Sequence, residues 1–336
     1  MRQEAITRGG APCEPIDRPS GCDDPGVIRL AVGPARDYPS WNWVGADTAR
    51  ELAKYADVAL FESFRRIPPS DAIMIVKHRP PLALARALRG RGIKLVYVPV
   101  DIYASRAEIH RDRLLLEAFD LVLAHDELLL ECLRPYCSRI GLVEHHGKYT
   151  LAEMAPYKPD GYVLWIGGLQ HAPYLMDWLT RHPIRREVRL LTDVGNPIAA
   201  GQALTLARRL DIRFELGPRS INGHGVHQWS EAEQQRMMQA CKVAIDIKGE
   251  DFSQSTKPPT KAQKFISSGI PFACNCETSA SRYFRKRGFE LASPLEEEAW
   301  FSEDYWLQTR GFAEDLRSRI TLESVGRDYW AFLQSL

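Results

Sequence analysis

The segment Lys257-Pro-Pro-Thr-Lys261-Ala-Gln-Lys264-Phe-Ile-Ser-Ser-Gly269-Ile-Pro271 carries the residue types and spacing most suggestive of chemistry. Pro258 and Pro259 stop any helix before them, so Lys257 is expected on a loop at a helix start, with Thr260 as the cap. Lys261 and Lys264 fall one turn apart on the polar face, while Ala262, Phe265 and Ile266 make the buried stripe. A helix start presents unpaired amides and the positive end of the dipole, and added lysines make it a site for a phosphate or diphosphate. Lysine is sparse elsewhere: of 44 Lys and Arg, 11 are Lys, and four of those, Lys248, Lys257, Lys261 and Lys264, fall between positions 248 and 264.

Other candidates sit after apolar runs. Gly33-Pro-Ala-Arg-Asp-Tyr-Pro-Ser-Trp-Asn-Trp-Val-Gly45 follows the first strand, and Ser40, Trp41 and Trp43 there suit stacking and hydrogen bonding to a sugar. His78, Asp101, His125 and Asp126 fall near strand ends, where one could steer a hydroxyl or act as a base. Gly167-Gly168 ends another strand. His145-His146 is expected to face opposite ways on a strand, and the His224–His227 run lacks carboxylate company, so no metal is expected. There is no Gly-x-x-x-x-Gly-Lys-[Ser/Thr] loop and no Gly-x-Ser-x-Gly elbow.

The elements that must position these groups alternate. Strands are predicted at 27–32, 57–61, 72–76, 93–100, 121–124 and 140–143, with helices at 46–56, 82–88 and 126–133. The segment 151–161, with Pro156, Pro159 and Gly161, reads as a linker. The pattern then restarts: strands at 162–166, 188–191, 212–216, 243–247 and 271–274, helices at 198–210, 230–240 (Ser230 and Glu233 forming a capping box) and 260–268, and a Gly-rich loop at 217–225. Short apolar runs alternating with amphipathic helices imply an α/β fold with parallel sheets covered on both faces, in two Rossmann-like units. Ligands of such sheets sit beyond the carboxyl ends of the strands, and two facing units define a cleft.

Length and charge bound the rest. The chain has 336 residues, and its 44 basic against 43 acidic side chains give no strong nucleic-acid signal. Seven cysteines with no Cys-x-x-Cys suit a reduced, cytoplasmic protein. Residues 1–26 lack an apolar core and read as a mobile arm.

The lysine segment resembles the donor-site helix of retaining glycosyltransferases of the group 1 (family 4) type. Lys257, Lys261, Gly269 and Pro271 match its spacing. Ala240-Cys-Lys-Val-Ala-Ile-Asp-Ile247, Gln228-Trp229-Ser230 and Tyr162-Val-Leu-Trp-Ile-Gly-Gly-Leu-Gln-His-Ala-Pro-Tyr-Leu175 resemble neighbouring segments of the family. Lys94–Asp101 and Phe119–His125 resemble its first domain more loosely. The family usually carries two Glu eight positions apart, the second commonly on the donor ribose; this chain has Thr256 and Lys264 there.

The resemblance implies a GT-B-like fold: an arm (1–26), an acceptor-side domain (27–155), a donor-side domain (156–320) and a C-terminal helix (321–336) returning to the first domain. It implies metal-independent, retaining transfer of a sugar from a nucleotide-diphosphate sugar, a co-substrate rather than a bound cofactor, to an acceptor hydroxyl on a glycan, lipid-linked or small molecule. Donor contacts would come from Gly167, Gly168, Lys248, Lys257, Thr260, Lys261 and Lys264. Acceptor contacts would come from Ser40, Trp41, Trp43 and His78, and catalytic roles would fall to Asp101, His125 and Lys261. Lys261→Ala is expected to cut turnover with the fold intact. A lipid-linked acceptor would bring the protein to the inner membrane face. The alternatives are a non-catalytic binding or assembly protein with an altered donor site, and a sugar-nucleotide epimerase.

Overall fold

The computed structural model describes residues 27–275 and 277–336; the predicted arm 1–26, with Cys13 and Cys22, and Cys276 lie outside the described residues. Strands β1 (Arg29–Gly33), β2 (Asp57–Leu60), β3 (Ala72–Val76), β4 (Lys94–Val98), β5 (Leu121–Ala124) and β6 (Ile140–Leu142) form a parallel sheet in the order β2-β1-β3-β4-β5-β6. Strands β7 (Val163–Ile166), β8 (Val188–Thr192), β9 (Ser220–Ile221), β10 (His224–Gln228), β11 (Val243–Asp246) and β12 (Phe272–Cys274) form a second sheet, ordered β12-β11-β7-β8-β10-β9. Only β9 runs antiparallel to its neighbour. The short apolar runs become central strands because both faces are covered: Ile73 to Val76 and Leu95 to Val98 are buried throughout.

Two local expectations change. Residues 212–216 are not a strand. Ile212 and Phe214 lean on the core, Arg213 pairs with Glu215, and a single bridge, Leu216 to Ile221, joins them to a neighbour. The position beside β8 belongs to β10 instead, which begins within the expected Gly-rich loop. The β9–β10 turn is Asn222-Gly223, both at positive φ (49° and 85°), the backbone a tight hairpin needs. The first helix opens as a π-turn, Trp41–Ala46, before Asp47–Leu52. The Trp41 ring fills the space a Cβ on Gly45 would need, so a glycine stands there.

Lobe one has a core on each face of its sheet. One face is closed by the Leu322–Gln334 helix: Val325, Tyr329 and Leu333 pack with Leu30, Trp41, Leu52 and Val96. Gly326 allows that approach, since a Cβ there would meet the Glu51 side chain. Thr321 caps the helix through the Ser324 amide. The connection between sheets is itself packed: Leu151 and Ala155 are buried in the core of lobe two, and the Leu151 amide donates to Ser268 Oγ at 3.0 Å. Among the described residues no helix is long and apolar enough to cross a membrane.

Candidate active site

In lobe two the strand order reverses at β7. The next strand in sequence, β8, lies on one side of it and β11 on the other, so the carboxyl ends of β7 and β11 form the switch point where such sheets bind ligands. Gly167-Gly168 leaves β7 there, and Asp246 ends β11. Asp246 is 4% exposed, and its carboxylate holds Lys261 Nζ at 2.5 Å and Lys248 Nζ at 3.7 Å. Burial works against that carboxylate, but Lys261 and Lys248 overcome it and hold its pKa below the usual range. Lys261 Nζ also lies 5.1 Å from the Trp165 ring centroid.

Lys257 is held differently. Its Nζ is 2.9 Å from His171 Nε2, on the short turn that follows Gly167-Gly168. An ammonium can only donate, so Nε2 accepts and the imidazole proton sits on Nδ1. Burial, then Lys257 and Lys261, push His171 down to about 3, which keeps the ring neutral. Burial lowers Lys257 to about 8; Asp101 opposes, and Lys248 and Lys261 add to the fall. Lys261 is matched by a carboxylate, whereas Lys257 makes no ion pair among the described residues, with Asp101 and Asp246 acting on it only at longer range.

The Thr260–Ser267 helix begins beside these lysines. Thr260 is its first residue rather than its cap: Pro259 holds the cap position and no side chain caps the amides, because the proline ring carries no acceptor. Lys264, one turn on, leaves the cluster. Its Nζ reaches Gln234 Oε1 at 3.1 Å and lies 5.5 Å from the Tyr149 ring centroid; burial, then Lys261, lower its pKa to about 7.

Lobe one faces this cluster across a cavity of about 270 Å³. Its walls include Asp101, Tyr103 and His125 from lobe one and His171, Gln254, Thr256 and Lys257 from lobe two. Asp101 follows β4 in a left-handed conformation, φ 49°. His125 follows β5, and its Nε2 lies 3.0 Å from the Thr256 carbonyl, which can only accept. Nε2 therefore carries the proton, and the lone pair is left on Nδ1, buried without a partner. Burial lowers the pKa of His125 against the pull of Asp101 and Asp126.

The seam behind the cavity is charged. From the Ser279–Lys286 helix, Arg282 pairs with Asp126 at 3.1 Å and Lys286 pairs with Glu127. Tyr283 donates to Glu144 at 2.6 Å, and Arg287, just past the helix, pairs with the same carboxylate.

The structure thus brings Asp101, His125 and Lys257 to one cavity, with Lys248 and Lys261 on the adjoining Asp246. Trp41 departs from expectation: it is 1% exposed in the core of lobe one, so its ring offers no face to a sugar. Trp43 spends its Nε1–H on the His146 carbonyl at 2.8 Å and meets Tyr149 edge-on. Ser40 and His78 do not line that cavity: Ser40 Oγ accepts from Lys77 at 3.1 Å, and His78 Nε2 lies 2.6 Å from Tyr38 OH. His145 and His146 lie past the end of β6, on the connection; His146 binds Asp47 at 3.2 Å, while His145 packs on His125. His227 does have a carboxylate, Glu233, at 2.9 Å, which also draws that side chain away from a capping box. A fold-intact Lys261→Ala is not to be expected either, since it would strand the buried Asp246.

Two central residues, His171 and Asp246, were not among the sequence candidates. Their roles follow from strand order, which brings β7 and β11 side by side. Among the described residues no group of three or more His, Cys, Asp and Glu is placed to hold a metal.

No protein-family model matches the chain, and no curated protein matches it in sequence. Solved structures do match. Anabaena Alr3699/HepE, in complex with UDP-glucose, superimposes with a TM-score of 0.62 at 14% identity, covering 92% of this chain and 100% of its own. The α,α-trehalose 6-phosphate synthase of Burkholderia multivorans gives 0.54 at 12% identity, over 86% and 74%. AviGT4, a glycosyltransferase involved in avilamycin A biosynthesis, gives 0.53 at 9%, over 90% and 96%. The architecture shared with these proteins is the GT-B fold: two mostly parallel α/β sheets, each six-stranded here.

Proposed function

We propose that this GT-B chain is a glycosyltransferase that moves a sugar from a nucleotide-diphosphate sugar to an acceptor hydroxyl, without a metal and with retention. One observation carries the reading: Lys257, which makes no ion pair among the described residues, lines one cavity with Asp101 and His125 at the carboxyl edges of both sheets. In a transfer, the leaving diphosphate gathers charge as the sugar departs. Lys257, the Lys248/Lys261 pair and the uncapped amides of the Thr260–Ser267 helix stabilise that charge where it grows. The acceptor hydroxyl loses its proton in the same step, and Asp101, on the cavity wall beside His125, is the base at hand. Retention rests on the family resemblance, and the donor class on that resemblance and on the UDP-glucose held by the Anabaena neighbour.

The test is calorimetry with UDP-glucose and other sugar nucleotides, followed by UDP release against a panel of acceptors. Lys257→Met should lower kcat by roughly 10²–10³ while leaving the melting temperature near wild type. No binding of any nucleoside diphosphate would defeat the reading. A second reading, a binding protein on the same fold, is favoured by Lys264 and Lys261 being satisfied internally by Gln234 and Asp246. No thermal shift with any sugar nucleotide would decide for it.

A further inference from the structure

Lobe one has its own switch point, between β1 and β3, where β2 lies on one side of β1 and β3 on the other. The side chains leaving those two strand ends form a cluster that the transfer chemistry does not use. Lys77, directly after β3, is held at φ 66°, a conformation that bulky residues avoid without a compensating cause. Its Nζ donates to Ser40 Oγ at 3.1 Å and lies 4.8 Å from the Tyr38 ring centroid. Tyr38 OH is 2.6 Å from His78 Nε2. Arg36 gives its guanidinium to the carbonyls of Ala35 and Glu62. Every one of these partners is neutral. Among the described residues no carboxylate makes an ion pair with Lys77 or Arg36, and the adjacent Asp37 is exposed and unpaired. His78 registers the imbalance: burial, Arg36 and Lys77 all push its pKa down, and no acid opposes them.

We propose that the β1/β3 edge of lobe one is a phosphate-binding site formed by Lys77, Arg36 and Ser40, with Tyr38 and His78 as its wall. Two cations without a counter-ion match a dianionic phosphate better than a carboxylate, and the lysine and serine donors approach it from separate loops. The edge is continuous with the Pro99–Tyr103 segment that lines the cavity, because β3 and β4 are neighbours. On the transferase reading, the phosphate belongs to the acceptor: a sugar phosphate or a phosphate-linked lipid, placed with its hydroxyl toward Asp101.

His78 is a built-in reporter. Its ring signals, followed by NMR on the full chain, give its titration with and without inorganic phosphate, against chloride at matched ionic strength. Phosphate should raise the His78 pKa, because the anion offsets both cations. Lys77→Met should raise it without phosphate and weaken the phosphate response at least tenfold, and Lys77→Arg should restore it. Glucose 6-phosphate and phosphatidic-acid vesicles separate the sources: a soluble phosphate acceptor answers to the first, a lipid-borne one to the second, each lost in Lys77→Met. A His78 response no larger than that to chloride, together with no Lys77-dependent binding of either probe, overturns the site. UDP calorimetry on the same sample reads the other lobe. A chain that gives the His78 response and binds no UDP keeps this site and loses the transferase reading; the reverse result removes only the site.

Discussion

At the residue scale, the site separates two kinds of buried lysine. Lys261 is committed to Asp246, and Lys257 to a neutral imidazole. The difference has a pH signature. A bound diphosphate favours the charged form of Lys257, so its pKa rises from about 8 on binding. Affinity for a diphosphate should then be flat below pH 7 and fall as pH rises through 8 to 10. Calorimetry at pH 8.5 in two buffers of different ionisation enthalpy should show proton uptake, and Lys257→Met should abolish it. Folding has the opposite sign. The unfolded chain holds the Lys257 and Lys264 protons up to about pH 10.4, while the folded chain sheds them near 8 and 7, so these two groups make stability increase with pH between those limits. Replacing Lys261 is a different experiment: the stranded Asp246 keeps only Lys248 at 3.7 Å, and a loss of about 3 kcal/mol is expected. Asp246→Asn added to Lys261→Met should recover much of it, read by urea denaturation.

At the element scale, the Ser279–Lys286 helix reaches across to the other lobe with Arg282, Tyr283 and Lys286. Asp126 has two tasks. Its Oδ1 caps the Glu127–Leu133 helix at the Leu129 amide, and its Oδ2 receives Arg282. Asparagine can still cap but cannot pair as an anion, so Asp126→Asn isolates the interlobe contact, while Asp126→Ala loses the cap as well. Alanine should cost about 1 kcal/mol more than asparagine. In small-angle scattering both variants should show a larger radius of gyration, and its dependence on salt should be weaker than in wild type. Equal melting temperatures for the two variants would mean that the cap contributes nothing.

At the scale of the whole molecule, the two sheets were legible because their strands are short apolar runs with turn residues between them, as at 72–76 and 121–124. The lysine helix was legible because Pro258-Pro259 and Gly269 punctuate it. What the sequence hid depends on neighbours distant in the chain. Trp41 and Trp43 look equivalent in sequence, yet the π-turn sends one into the core and the other to the His146 carbonyl. Asn222-Gly223 is a strong hairpin signal, but the apolar run at 212–216 competes with it until β8 selects β10. The Asp126–Arg282 and Glu144–Arg287 pairs join residues on opposite lobes and leave no trace in either segment alone. The fold also predicts where a deletion is felt. Removing 321–336 exposes the face of lobe one once covered by Val325, Tyr329 and Leu333, so hydrogen exchange should accelerate in β1, β3 and β4 well before β7 or β8.

The same returning helix sets an order of assembly. As the chain is synthesised, the strands of lobe one appear first, but the residues that close one of their two faces are translated only after all of lobe two. The earlier lobe waits with an apolar surface open while the later one already holds every part of its core. For a nascent chain, the second lobe is the first that can finish folding.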